Sequence, residues 1–175
     1  TRLLWGQSVE PSSYYLARWI FLRVLGLIYF AAFASLGVQV LGLMGHNGIL
    51  PAADFLKAVQ AQVPGAERHW LLPTLCWYDC SDAALRFLCG GGAVLSLLFF
   101  LGVAPSPILF LLWAFYLSLS LVGRDFLSFQ WDTLLLETGL LAIFLAPPRW
   151  LPGMSIEAPP QKTVLKFGAG EGNRT

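Results

Sequence analysis

The chain reads as an all-α, polytopic membrane helical bundle of about four crossings, with a short amphipathic helix lying along the interface. Three observations predict this class. Apolar residues make up 57% of the 175 residues and charged residues only 12%, against about a quarter charged in soluble domains. Charge-poor stretches recur at roughly the 20 residues a bilayer crossing needs. Their flanks carry Arg, Trp and Tyr, the residues that anchor helix ends in the headgroup region. A net charge of +1 without a basic face excludes a nucleic-acid partner.

The first crossing is the uncharged stretch Val24–Asn47, preceded by Tyr14, Tyr15, Arg18, Trp19 and Arg23. A loop from about Gly45 to Arg86 follows. Pro51 can take a first helical position there, and Phe55, Val59 and Val63 recur every four residues, which predicts an amphipathic helix on the membrane surface. Trp70, Trp77 and Tyr78 mark the interface before the second crossing, Phe87–Ala104. Pro105, Ser106 and Pro107 read as a tight turn into a third crossing, Ser106–Gly123, so the second and third form an antiparallel hairpin. The fourth crossing is Phe129–Ala146.

Arg2, Arg18, Arg23, Arg149, Lys162, Lys166 and Arg174 fall on the side of the termini, against Lys57, Arg68, Arg86 and Arg124 on the other. This bias places both termini in the cytoplasm. Residues 1–151 are therefore expected to form the transmembrane domain and 152–175 a polar, disordered tail with too few apolar residues to offset its ordering entropy. Thr1 in place of Met, and an ending in Gly-Ala-Gly-Glu-Gly-Asn-Arg-Thr, give the expectation of a fragment of a longer protein.

The fourth crossing holds Asp132 and Glu137. A central Asp costs roughly 2.5 to 3.5 kcal/mol on insertion scales, while each apolar residue returns about 0.3 to 0.6. Asp132 is accordingly expected near an interface, and Glu137 facing protein or trapped water and either protonated or paired. Gln130, Thr133 and Glu137 share one helical stripe, as do Ala31, Ser35, Gln39 and Gly42 of the first crossing. Small and polar stripes of this kind are expected to pack against helices rather than lipid.

Phe126-Leu127-Ser128-Phe129-Gln130-Trp131-Asp132, then Leu135-Leu136-Glu137-Thr138-Gly139 and Phe144-Leu145-Ala146-Pro147, resemble the lipase maturation factor family. Leu43-Met44-Gly45-His46-Asn47-Gly48-Ile49-Leu50-Pro51 resembles the family's glycine-containing segment after its first membrane helix, and Pro73-Thr74-Leu75 is similar to a stretch that precedes a Trp there. The resemblance covers about Tyr15 to Trp150. It implies the N-terminal membrane part of a longer protein, lodged in the endoplasmic reticulum membrane of a eukaryote or the inner (plasma) membrane of a bacterium. It further implies a non-enzymatic, chaperone-like role in folding and assembly of secreted lipases. The implied partners are membrane lipid, a secreted lipase client and further helices of the full-length protein.

The residues assigned to an intramembrane polar site are Gln130, Trp131, Asp132, Thr133 and Glu137. Gly45, Gly48 and Pro51 are assigned to shaping the lumenal loop, where glycine and proline fix turns. An alternative is a membrane enzyme distantly resembling the vitamin K-dependent carboxylase transmembrane domain, with Glu137 as acid or base; no histidine or lysine accompanies Glu137 on its stripe. Proton-coupled transport finds no internal repeat to support it.

No cofactor or metal is implied. His46 and His69 lack ligand spacing, and no nucleophile elbow, phosphate loop or dinucleotide fingerprint occurs. Gly90-Gly91-Gly92 suits close helix approach. Cys76, Cys80 and Cys89 read as buried or interfacial thiols: an i,i+4 pair on a regular helix is poorly placed for bridging, and an odd count leaves one thiol free. Asn173-Arg174-Thr175 forms a glycosylation sequon at the cytoplasmic end, read as chance.

Overall fold

A computed structural model describes residues 14–63 and 65–146; the expected tail, 152–175, lies outside them. The described residues are helical and contain no strand. α1 is Tyr15–Met44, α2 Ala52–Gln62, α3 Glu67–Leu71, α4 Asp82–Leu101, α5 Pro105–Gly123 and α6 Gln130–Leu145, with 3-10 turns at Leu75–Trp77 and Arg124–Phe126. Among the described residues three helices are long and apolar enough to cross a membrane, spanning Leu16–Met44, Asp82–Leu101 and Pro105–Phe126. The expected fourth, α6, has 16 residues and is about 24 Å long, slightly short of a hydrocarbon core of about 30 Å. It packs against α5 as the fourth helix of the bundle.

α1 starts nine residues before the expected first crossing, taking in Arg18 and Arg23. A charge-free criterion overlooks such an extension because it cannot see where a cation finds its partner. Arg23 Nη1 donates to the Phe99 carbonyl at 3.3 Å, and the guanidinium lies over the rings of Trp19 at 5.4 Å and Phe100 at 5.8 Å. It thereby gives a charged donor to a C-terminal carbonyl of α4 that also accepts from the Gly102 amide at 2.9 Å, and complements the helix dipole. Gly102 ends α4 in the left-handed region, at φ 90°, where a side chain would be strained. A Cβ there would also lie 2.6 Å from Arg23 Nη2.

α4 begins at Asp82 rather than Phe87, because the Ser81 hydroxyl caps it by accepting from the Ala84 amide at 3.2 Å. The tight turn is Gly102–Ala104, and Pro105 and Pro107 belong to the first turn of α5 rather than to the connection. Proline is suited to that position because the amide it lacks has no intrahelical partner there.

The core is a seam of Leu25, Tyr29, Phe33, Leu36, Val40 and Met44 along α1, meeting Leu85, Leu88, Cys89 and Phe99 of α4 and Leu109, Leu112, Tyr116 and Leu119 of α5. α1 packs most extensively on α4. The small and polar stripe of α1 faces the other way. Ala31, Ser35, Gln39 and Gly42 are all exposed, and nothing lies within 4 Å of a Cβ on Gly42. Large aromatic and aliphatic side chains won the contacts within this chain, since they bury more surface per residue. Gln39 instead meets its own helix, donating to the Ser35 carbonyl at 3.2 Å.

Candidate functional site

Two features stand out: a polar and aromatic cluster where α1, α5 and α6 meet, and a pinned loop at the end of the bundle where α4 begins.

The cluster is built by mid-helix tyrosines that need hydroxyl partners in an apolar setting. Tyr29 of α1, fully buried, donates to the Leu135 carbonyl of α6 at 3.3 Å. Its ring stacks on Phe33 with centroids 6.2 Å apart, and Tyr116 of α5 meets both rings edge-on, at 6.0 and 5.5 Å. The Tyr116 hydroxyl donates to Asp132 Oδ1. Asp132 sits in the first turn of α6, where the helix dipole favours a carboxylate. α6 closes on this cluster at Gly139, where a Cβ would overlap the Tyr29 hydroxyl.

Of the expected polar-site residues, Asp132 is the one brought into this cluster. Gln130, Trp131, Thr133 and Glu137 are exposed. Leu135, Gly139 and Ala142 form the buried side of α6, and successive steps of 100° put positions 130, 133 and 137 on the opposite side. The stripe exists, but it points away from the other helices of the described chain. Among the described residues Glu137 has no hydrogen-bond or ion-pair partner.

The loop is held at three points. The His46 amide donates to Asp82 Oδ1 at 2.8 Å. The Thr74 hydroxyl donates to the Ser118 carbonyl at 3.1 Å while the Leu75 amide donates to Ser118 Oγ at 3.0 Å; Ser118 Oγ itself donates to the Ala114 carbonyl at 2.7 Å. The Arg124 guanidinium lies 4.7 Å from the Phe55 ring centre, tying α2 to the end of α5.

Gly45 and Gly48 form a tight reversal, with the Gly48 amide donating to the Gly45 carbonyl at 2.9 Å. A Cβ at Gly45 would lie 2.9 Å from Leu41 Cα, and one at Gly48 2.9 Å from the Gly45 nitrogen. Pro51 is the N-cap residue of α2 rather than its first helical position. α2 turns Ala52 and Leu56 inward, with Phe55 packed against the same core.

Cys76, Cys80 and Cys89 are free thiols. Cys76 lies in a 3-10 turn and Cys80 just before the cap of α4, not on one regular helix. The two thiols are hydrogen-bonded to each other, which holds Cys76 below the usual thiol range and pushes Cys80 above it. No group of three His, Cys, Asp or Glu side chains that could hold a metal ion occurs among the described residues.

Tyr29, Tyr116, Thr74 and Ser118 were missed by sequence reasoning. The available signal was a tyrosine or serine well inside an apolar crossing, since a buried hydroxyl requires a partner; the partner's identity depends on which helices become neighbours.

The lipase maturation factor transmembrane domain family matches residues 16–167. Lipase maturation factor 2 of Xenopus laevis is 45% identical over 143 residues, covering 75% of this chain and 19% of the frog protein. Human lipase maturation factor 2 is 40% identical over 142 residues, 77% of this chain and 20% of that protein. Mouse lipase maturation factor 1 is 37% identical over 165 residues, 90% of this chain and 29% of that protein. The chain therefore spans about a fifth to three tenths of the length of these relatives. No solved structure matches it.

Proposed function

The chain belongs to the lipase maturation factor family, and from that premise we propose that it is the membrane scaffold of a protein that assists folding and assembly of secreted lipases. It is an integral membrane protein, with three helices among the described residues long and apolar enough to cross a bilayer. The single observation that carries the functional reading is the family match over residues 16–167. The pinned loop gives it a structural form: the segment between α1 and α4 is fastened to the bundle through Asp82, Ser118 and Arg124, a rigid base for whatever contacts the client.

In this reading the termini are cytoplasmic and the loop faces the lumen of the endoplasmic reticulum, or the periplasm in a bacterium, where secreted lipases fold. The role is positioning rather than chemistry. Nothing in the family match favours the carboxylase-like alternative.

The test is a chimera. The corresponding segment of full-length mouse lipase maturation factor 1 is replaced by this chain and expressed in cells lacking that factor, and the specific activity of a secreted lipase is measured. Restoration towards the level of the unmodified factor is expected. A chimera that inserts and accumulates normally yet gives no more active lipase than empty vector would overturn the reading.

A further inference from the structure

The outer face of α6 combines three properties that lipid does not accommodate together. Glu137 stands seven residues into a helix of 16 residues, about 11 Å below its first residue and so near its middle. It is exposed and without a partner among the described residues. Gln130 and Thr133 lie on the same stripe, with their side chains likewise exposed. Three other polar groups of the bundle are satisfied on their own helix or a neighbouring one, Gln39 by Ser35, Ser96 by the Gly92 carbonyl at 2.7 Å and Asp132 by Tyr116, while the buried Ser120 hydroxyl has no partner among the described residues. Of the two acids of α6, Glu137 is the one without a partner among the described residues.

Four of the described cations are engaged elsewhere. Arg23 caps α4, Arg124 covers Phe55, Arg68 lies over Trp77 at 5.2 Å, and Lys57 pairs with Asp54 at 3.1 Å. A carboxylate in the hydrocarbon region pairs with a cation or donor, or lines a protein interior. The helix is also short for a lipid-facing crossing.

We propose that this face of α6, centred on Glu137 and flanked by Gln130 and Thr133, is the docking surface for a further membrane-spanning helix that presents a lysine or arginine at the depth of Glu137. The carboxylate and the basic side chain neutralise each other in the bilayer, and Gln130 and Thr133 hydrogen-bond across the same interface. The curated relatives extend far beyond the part matched here, so longer members of the family have further segments from which such a helix can come. The inference concerns assembly in the membrane and is independent of the lipase client.

The probe is a synthetic transmembrane peptide of polyleucine with one central lysine, compared with the same peptide bearing leucine there. Each is titrated by energy transfer against the labelled chain in phosphatidylcholine vesicles. The lysine peptide is expected to associate at about tenfold lower peptide-to-lipid ratio than the leucine peptide, and Glu137→Gln and Glu137→Leu are both expected to abolish that preference. Gln39→Leu, on the outer face of α1, should leave it unchanged. Equal association of the two peptides with the unaltered chain would overturn the proposal. So would a lysine preference that survives both Glu137 substitutions, or self-association of the chain through this face that the lysine peptide fails to displace.

Discussion

The Tyr29 hydroxyl occupies the space in which a side chain on Gly139 would begin, so α1 and α6 approach as closely as they do only because position 139 carries none. The same hydroxyl donates to the Leu135 carbonyl, one turn earlier on α6. Gly139→Ala is expected to destabilise the bundle by about 1 to 3 kcal/mol, the usual effect of overpacking, and Tyr29→Phe in the same chain should recover part of the loss. Gly42→Ala, where nothing lies within 4 Å, should be neutral or stabilising by about 0.5 to 1 kcal/mol. Unfolding by sodium dodecyl sulfate in mixed micelles reads both. Equal stabilities for the two alanine variants would refute the close approach.

Asp132 and Tyr116 join the first turn of α6 to the middle of α5. Hydrogen bonds to charged groups contribute about 1.5 to 3 kcal/mol, so Tyr116→Phe should lower stability by that order. Asp132→Asn retains an acceptor and should cost less than Asp132→Ala. The same unfolding titration gives the ranking; an alanine variant as stable as the asparagine one would remove the contact from the account.

Ser118 accepts the Leu75 amide and, through its carbonyl, the Thr74 hydroxyl. Ser118→Ala keeps the second contact and abolishes the first, leaving a part-buried amide unpaired at about 1 to 3 kcal/mol. Hydrogen exchange at residues 72–77 should quicken while the centre of α4 is unaffected. Unchanged protection of that loop is the outcome that counts against a pinned segment.

The ends of the bundle should report opposite sides of the membrane. Charge bias assigns the α2 end to the lumen or periplasm and the Gly102–Ala104 turn to the cytoplasm. A glycosylation or alkylation reporter at Gln60 should be modified from the lumenal side and one at Val103 from the cytoplasmic side. Modification of both from one side would reject the arrangement.

Helix existence, order and approximate ends were legible in the sequence because apolar run length and flanking anchors are local properties. The third and fourth helices fall within one residue of expectation, at Pro105–Gly123 and Gln130–Leu145. The family was legible too, through ordered motifs in the loops and in α6. Errors arose where a charge or a cap is satisfied by something distant in sequence. α1 reaches back past Arg23 because Phe99 supplies a carbonyl, and α4 starts early because Ser81 caps it.

Which way a helix turns its polar stripe was decided by tertiary structure. The periodicity of Gln130, Thr133 and Glu137, and of Ala31, Ser35, Gln39 and Gly42, shows that each set shares a face, and sequence can go no further, because a helix has two sides and both can be covered. Within this chain the covered sides went to Tyr29, Phe33, Leu135 and Ala142, whose contacts bury apolar surface and pair the tyrosine hydroxyls. The polar stripes were left facing outward. Sequence alone determined that the chain is a helical membrane protein with a carboxylate in its last described helix; only the packing of α1 and α5 against α6 decided that Asp132 meets Tyr116 and that Glu137 does not meet the bundle.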